Sequence, residues 1–279
     1  MPEQRQAANS GCWSDGGSDS WLAGLSGLRN IVRQELVARQ LAEQITEHFF
    51  HGNGAAEARP LRVLDVGCGQ ATQVVRLARA GHLVTGLDPD PATLGAAQGA
   101  VGAEPQHVQQ RISQLTGEGG DSGRWFGPGT FDIVLCHGVL MYMPEAEPML
   151  ASLARVLAPG GMLSVVVRNG DALAMRPGCA GDWGGAIEAF GTDRYTNRLG
   201  LPTRADRLEP LTRTLAEIVV PLRRWYGVRV FTDQTPDHVG APVDGRQLAQ
   251  LLDAEERAGR TDPYRTVASL LHLVGTRPG

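Results

Sequence analysis

The chain has 279 residues, 42% of them hydrophobic, enough for one packed α/β core with insertions. It holds no apolar run of about 18 residues able to span a membrane, and its polar start, MPEQRQAANSGC, is unlike a signal peptide, so a cytoplasmic protein with no membrane partner is expected. The net charge of −4 counts against nucleic acid as partner, and four scattered cysteines, Cys12, Cys68, Cys136 and Cys179, lack the C-x-x-C or histidine spacing of a disulfide framework or a metal site.

Residues 1–19 are rich in Gly, Ser and Asp with little to bury and are expected to be disordered, leaving residues 20–279 as one domain. From Trp21 the pattern changes: Leu28, Ile31, Val32, Leu36, Leu41 and Ile45 recur at helical intervals as far as His48, predicting a long helix beside a sheet or over a ligand. The run VLDVGCGQAT, from Val63 to Thr72, then joins a strand-like apolar segment to a glycine-rich turn that opens a helix over residues 71–80. Gly67 and Gly69 allow backbone to approach a ligand where a Cβ would collide, and Gly81 ends the helix. Two ligand classes use such a turn. A dinucleotide fingerprint needs a third glycine, and its position is Thr72. S-adenosylmethionine carries no phosphate, and its amino-acid tail suits an acidic strand end such as Asp65. Cys68, between the glycines, would meet the ligand through its backbone, with small size the reason for its side chain.

A second strand over residues 82–87 ends at Asp88, a carboxylate able to accept both ribose hydroxyls of an adenosine, and Pro89, which stops it, is expected beside the ligand with Asp88. HVQQRIS reads as a short third strand ending at Ile112 and Ser113, followed by a polar glycine-rich loop over residues 114–129. FDIVLCHGVLMYM, from Phe131 to Met143, is a buried strand running into a loop at the carboxyl end of the sheet, where open α/β folds bind ligands. Residues 144–157 place Met149, Leu150, Leu153, Val156 and Leu157 on one helical face, and LAPGGMLSVVV supplies a turn and a further strand. Residues 169–207 lack clear periodicity and are long for a connection. A helix over 208–218, a strand over 226–232, a helix over 246–257 and a strand over 266–275 complete the chain. Every basic side chain is arginine, and from Arg194 to Arg229 eight arginines face only three acids, Asp206, Glu209 and Glu217. In order, the elements give an α/β fold: a Rossmann-like seven-stranded sheet with helices on both faces, an N-terminal helix and an insertion.

The ordered motifs over roughly residues 20–170 resemble class I S-adenosylmethionine-dependent methyltransferases. GLR at Gly27 to Arg29, CHGVL at Cys136 to Leu140, YGVRVFTD at Tyr226 to Asp233 and DPYRTVASLLHLVGTRP at Asp262 to Pro278 are similar to the bacterial tRNA 5-carboxymethoxyuridine methyltransferase family. The resemblance implies S-adenosyl-L-methionine as cofactor, Arg29 at its methionine carboxylate, His137 beside it, Ile112 and Ser113 framing its adenine, and residues 169–207 as a substrate lid. The alternatives are an exposed helix arginine, a pocket-wall histidine, an ordinary strand end and a surface excursion.

Methyl transfer to a carboxylate needs no general base, because the acceptor is already anionic at neutral pH. It needs a positioning cation, for which the planar fork of Arg229 is the candidate, assisted by Tyr226. The competing reading is an arginine on a solvated strand face. The acceptor is then either a carboxymethoxy group on a tRNA wobble uridine or an anionic small molecule closed in by Trp183, Phe190 and Trp225. A non-catalytic S-adenosylmethionine-binding protein is a further alternative, and a dehydrogenase a weaker one.

Overall fold

The structure, a computed structural model, describes residues 27–50, 59–197, 200–236 and 239–279; the expectation of disorder over residues 1–19 lies outside them. Helix α1 (Leu28–Ile45) leads into strand β1 (Arg62–Val66), then α2 (Thr72–Arg79), β2 (Leu83–Asp88), α3 (Pro91–Gly102), β3 (Ile112–Thr116), β4 (Phe131–His137), α4 (Glu147–Val156) and β5 (Leu157–Arg168). Helix α5 (Trp183–Phe190) and a two-stranded ribbon of β6 (Arg194–Thr196) and β7 (Pro202–Arg204) follow, and α6 (Leu208–Glu217), β8 (Leu222–Val228), α7 (Gly245–Ala258) and β9 (Leu270–Thr276) close the chain. Seven strands form one sheet in the order β3-β2-β1-β4-β5-β9-β8, parallel from β3 to β5 and antiparallel at β5–β9 and β9–β8.

The period-two alternation of the central strands sorts their side chains into two cores. Val63, Ile133, Leu135, Met162 and Val274 face α2 and the second half of α1, where Leu41 and Ile45 are buried. Leu64, Val134, Cys136, Leu163, Val165 and Leu273 face the other way, onto Leu150 and Leu153 of α4 and Leu211 and Leu215 of α6. The start of α1 packs Leu28, Val32, Leu36 and Val37 against Val166 and Val228. Helix α1 therefore covers the sheet face on which Val166 and Val228 stand.

Two expected strands fall elsewhere. Residues Gln106–Gln109 form a helical turn, and β3 begins at Ile112 rather than ending there. Strand β8 ends at Val228, because Arg229 adopts a left-handed backbone, φ +62°. The N–H groups beyond it find no ladder partner and are collected by one buried carboxylate, Glu255 of α7, which accepts from the backbone of Val230 (2.8 Å), Phe231 (3.1 Å) and Thr232 (2.7 Å). Arg229 therefore stands beyond the strand that was expected to run to residue 232. Among its described residues, the insertion over residues 169–207 forms helix α5 and the β6–β7 ribbon, with shorter helical turns before them.

Candidate active site

The turn after β1 is built as its glycines require. Gly67 and Gly69 have φ of +68° and +55°, and Ala71 joins them at +62°. A Cβ on Gly67 would stand 2.3 Å from Cγ2 of Val139, in the loop after β4, so only glycine lets the turn pack against that side chain. Asp88, at the end of β2, closes the turn by accepting from the Gly69 N–H (2.9 Å) and the Asp90 N–H (3.1 Å). The Cys68 thiol lies under β2, where a Cβ on Gly86 would come within 2.9 Å of it, and burial raises its pKa, so it is no nucleophile.

These residues line a cleft at the carboxyl ends of β1, β2 and β4 that includes Asp65, Gly67, Cys68, Gly69, Asp88, Pro89 and His137, with Arg33, Gln34 and Val37 of α1 as its far wall. Seven of the expected ligand contacts thus meet in one place. Burial, reinforced by the Asp88 charge and opposed by Arg33, pushes the Asp65 carboxyl up to about 7. Asp88 is likewise raised by burial, its two backbone hydrogen bonds opposing. A cleft holding two desolvated carboxyls suits a nucleoside that brings positive charge and repels a dianionic pyrophosphate. The residues present therefore fit S-adenosylmethionine.

Ile112 and Ser113 stand apart. They open β3, at the amino end of a parallel strand, while the cleft lies at its carboxyl end, so neither lines it. Tyr226 is also elsewhere: its hydroxyl donates to Glu43 (3.0 Å) and accepts from Gln44 Nε2 (3.0 Å), and the ring is buried under α1. Its place is that of a brace between α1 and β8, lining neither cleft. Arg29 reaches the backbone oxygen of Asp233 (3.2 Å) and lines the second cleft, whereas Arg33, one turn later on the same helix, lines both. The i,i+4 spacing was the signal for Arg33.

The second cleft, about 740 Å³, adjoins the first and shares Arg33, Gly138, Tyr142 and Val166 with it. Six arginines line it, Arg29, Arg33, Arg168, Arg176, Arg194 and Arg229, against the acids Asp182, Glu188 and Asp233. At its floor Arg229 pairs with Asp233 (3.2 Å) and donates to Ser269 (2.9 Å), while Arg168 also pairs with Asp233 (3.4 Å) and bonds Ser269. Burial, with the charges of Arg168, Arg33 and Arg29, lowers the Arg229 guanidinium to about 10, so it stays cationic at neutral pH. Burial acts to raise Asp233, but Arg229 and Arg168 outweigh it and hold its carboxyl below the ordinary value. Sequence reasoning missed Arg168, Asp233 and Ser269 as one cluster, since they come from three distant segments. Trp183 and Phe190 point away, 69% and 76% exposed, and Trp225 lies under the Arg265 guanidinium (4.0 Å), so the expected aromatic enclosure does not form.

His137 carries a neutral imidazole: burial, then His272 and Arg33, drives its pKa well below the ordinary value. Among the described residues no group of three His, Cys, Asp or Glu is arranged to hold a metal ion, and no helix is long and apolar enough to cross a membrane.

Residues 64–165 match the family model described as a methyltransferase domain. The tRNA 5-carboxymethoxyuridine methyltransferase of Escherichia coli (strain K12) is 28% identical over 228 residues, covering 78% of this chain and 80% of that protein. The ubiquinone biosynthesis O-methyltransferase of Caulobacter sp. (strain K31) is 32% identical over 125 residues, 42% of this chain and 45% of that one. Among solved structures, the magnesium protoporphyrin IX methyltransferase of Synechocystis PCC 6803 with bound SAH superposes with a TM-score of 0.60 at 17% identity, covering 94% of this chain and 95% of the other. The chain thus carries a methyltransferase domain over residues 64–165 within a Rossmann-like class I methyltransferase fold, and the protein is an S-adenosylmethionine-dependent methyltransferase.

Proposed function

We propose that this enzyme methylates a carboxylate-bearing acceptor held in the arginine-lined second cleft, and that the acceptor is a carboxymethoxy group on a tRNA wobble uridine. The observation that carries the reading is the floor of that cleft. Arg168 and Arg229 both line it, and their Nε atoms are buried without a hydrogen-bond partner among the described residues, so the floor holds cationic donor capacity that its own residues leave unused. The arginine excess and the Escherichia coli relative support tRNA over a smaller anion.

In the first cleft, the Gly67–Cys68–Gly69 backbone lies along the donor, Asp88 accepts from its ribose, with Pro89 alongside, and Asp65 faces its positive charge. Arg33 is better placed than Arg29 for the tail carboxylate. When bound, S-adenosylmethionine supplies a sulfonium whose methyl group can be displaced in line. The acceptor oxygen forms the new C–O bond as the C–S electron pair returns to sulfur, and no proton moves. What the protein contributes is alignment across the shared wall of Gly138, Tyr142 and Val166, an effect that can supply about 7 to 11 kcal/mol. Residues 169–207 form the outer wall of the acceptor cleft as a substrate lid.

A second reading, a small anionic metabolite as acceptor, is favoured by the net charge of −4. Methyl-labelled donor supplied with separated total tRNA and small-metabolite extracts decides between them. Label in tRNA as a base-labile ester supports the first reading, and label confined to the metabolite fraction supports the second. Donor binding without label in either supports a non-catalytic binder.

A further inference from the structure

A chain of hydrogen bonds leaves the first cleft and crosses the sheet under α1. His137 Nε2 meets Ser164 Oγ at 2.8 Å, Ser164 Oγ meets His272 Nε2 at 2.8 Å, and His272 Nδ1 meets Gln40 Oε1 at 2.7 Å. Strand register explains the alignment. His137 and His272 both pair with Val166 of β5, and Ser164 lies two residues before it, so all three side chains stand on the face that α1 covers. Ser164, His272 and Gln40 are fully buried, at 0% exposure, and only His137 touches the cleft.

Each link has one proton, and one end fixes the order. The Gln40 amide turns its oxygen to His272 and leaves its own nitrogen buried without a partner among the described residues; in that orientation Nδ1 of His272 donates to Gln40 and its Nε2 is left as an acceptor. The Ser164 hydroxyl then donates to His272, and its oxygen accepts from Nε2–H of His137. The remaining nitrogen of His137, Nδ1, has no partner among the described residues.

We propose that Gln40, His272 and Ser164 are positioning residues that hold His137 in its Nε2–H tautomer, presenting Nδ1 to the first cleft as a hydrogen-bond acceptor for the ammonium of the donor's amino-acid tail. A cationic imidazole would repel both the ammonium and the sulfonium; the neutral ring with its lone pair inward attracts them. Arg33, whose charge acts on His137, favours the neutral ring. Burial lowers His272 to about 3, which keeps the middle of the relay uncharged. The ammonium contact rests on the donor reading of the cleft, whereas the tautomer belongs to the protein alone.

The test is imidazole nitrogen NMR on the full chain, without ligand, at pH 6 to 8. A His137 ring with a proton on Nε2 and none on Nδ1 is expected, and a proton on Nδ1 or a doubly protonated ring overturns the proposal. Ser164→Ala cuts the relay and should leave His137 a mixture of tautomers, with S-adenosylhomocysteine bound about five- to tenfold more weakly by calorimetry. Gln40→Leu cuts it at the far end and should give the same mixture. Unchanged tautomer and affinity in both variants would refute the relay. Wild-type chain that bound no S-adenosylhomocysteine would instead remove the donor from the cleft, a failure separable from the ligand-free spectrum.

Discussion

Asp65 offers the sharpest test of the donor cleft, because its carboxyl sits near 7 and the ordinary value is 3.8. In the free chain at pH 7 about half the molecules carry the proton. A ligand ammonium beside the carboxylate favours the ionised form, so binding expels that proton. Affinity for S-adenosylhomocysteine should therefore rise with pH and level off above 7, being weaker by about fivefold at pH 6 than at pH 7 and by about tenfold at pH 6 than at pH 8. Calorimetry in buffers of different ionisation enthalpy should find roughly half a proton released per ligand at pH 7. Asp88 faces the same cleft and is also raised by burial, whereas Arg33 opposes the shift of Asp65, so Asp65→Asn is the control: it should flatten most of the slope while binding weakens. A flat profile in the wild-type chain, or an undiminished slope in Asp65→Asn, would refute the assignment of Asp65 to a cationic ligand. The same shift has a stability consequence of opposite sign. A raised folded-state pKa stabilises fully below the unfolded value of 3.8, and that contribution is lost as pH rises through about 7, so ligand-free Asp65→Asn should melt higher than wild type at pH 8 and show less advantage at pH 4.

The proposed division of roles predicts that Asp88→Ala weakens donor binding tenfold or more, on the order of 1.5–3 kcal/mol for hydrogen bonds to a charged group, while Arg229→Ala leaves calorimetric donor affinity unchanged and slows turnover. Equal loss of donor affinity in the two variants would contradict it. Gly67→Ala places a methyl 2.3 Å from Val139 Cγ2 on a left-handed backbone, and donor affinity should fall by at least tenfold, about 1.4 kcal/mol, with partial recovery in the Val139→Ala background. Glu255→Gln removes a charged acceptor serving three backbone donors and the Thr232 hydroxyl (2.6 Å), so stability should drop by about 2–4 kcal/mol in denaturant unfolding and Arg229 should lose its register in the acceptor cleft. A variant as stable as wild type would show that the turn holds without this carboxylate.

How far the residues announce their own roles depends on whether the cause is local. The Gly67–Gly69 turn, the acidic ends of β1 and β2, and α1 were legible because each arises from backbone freedom, strand periodicity or helical spacing within a few residues. The third strand was misplaced because HVQQRIS has no period strong enough to mark where a turn of helix gives way to a strand. Tyr226 was drawn into the active site by its neighbour Arg229, yet its partners, Glu43 and Gln44, are 183 and 182 residues away and hold it under α1.

By itself, then, the sequence determined the order of elements, the ligand-ready turn and the two carboxylates behind it, since these follow from the conformational preferences of neighbouring residues. Only the tertiary structure decided that Glu255 ends β8 and turns Arg229 toward Arg168, Asp233 and Ser269, and that Gln40 meets His272 beneath α1. Those contacts join groups far apart in the chain, and a buried charge or hydrogen-bond relay takes its energy from partners that no local pattern encodes.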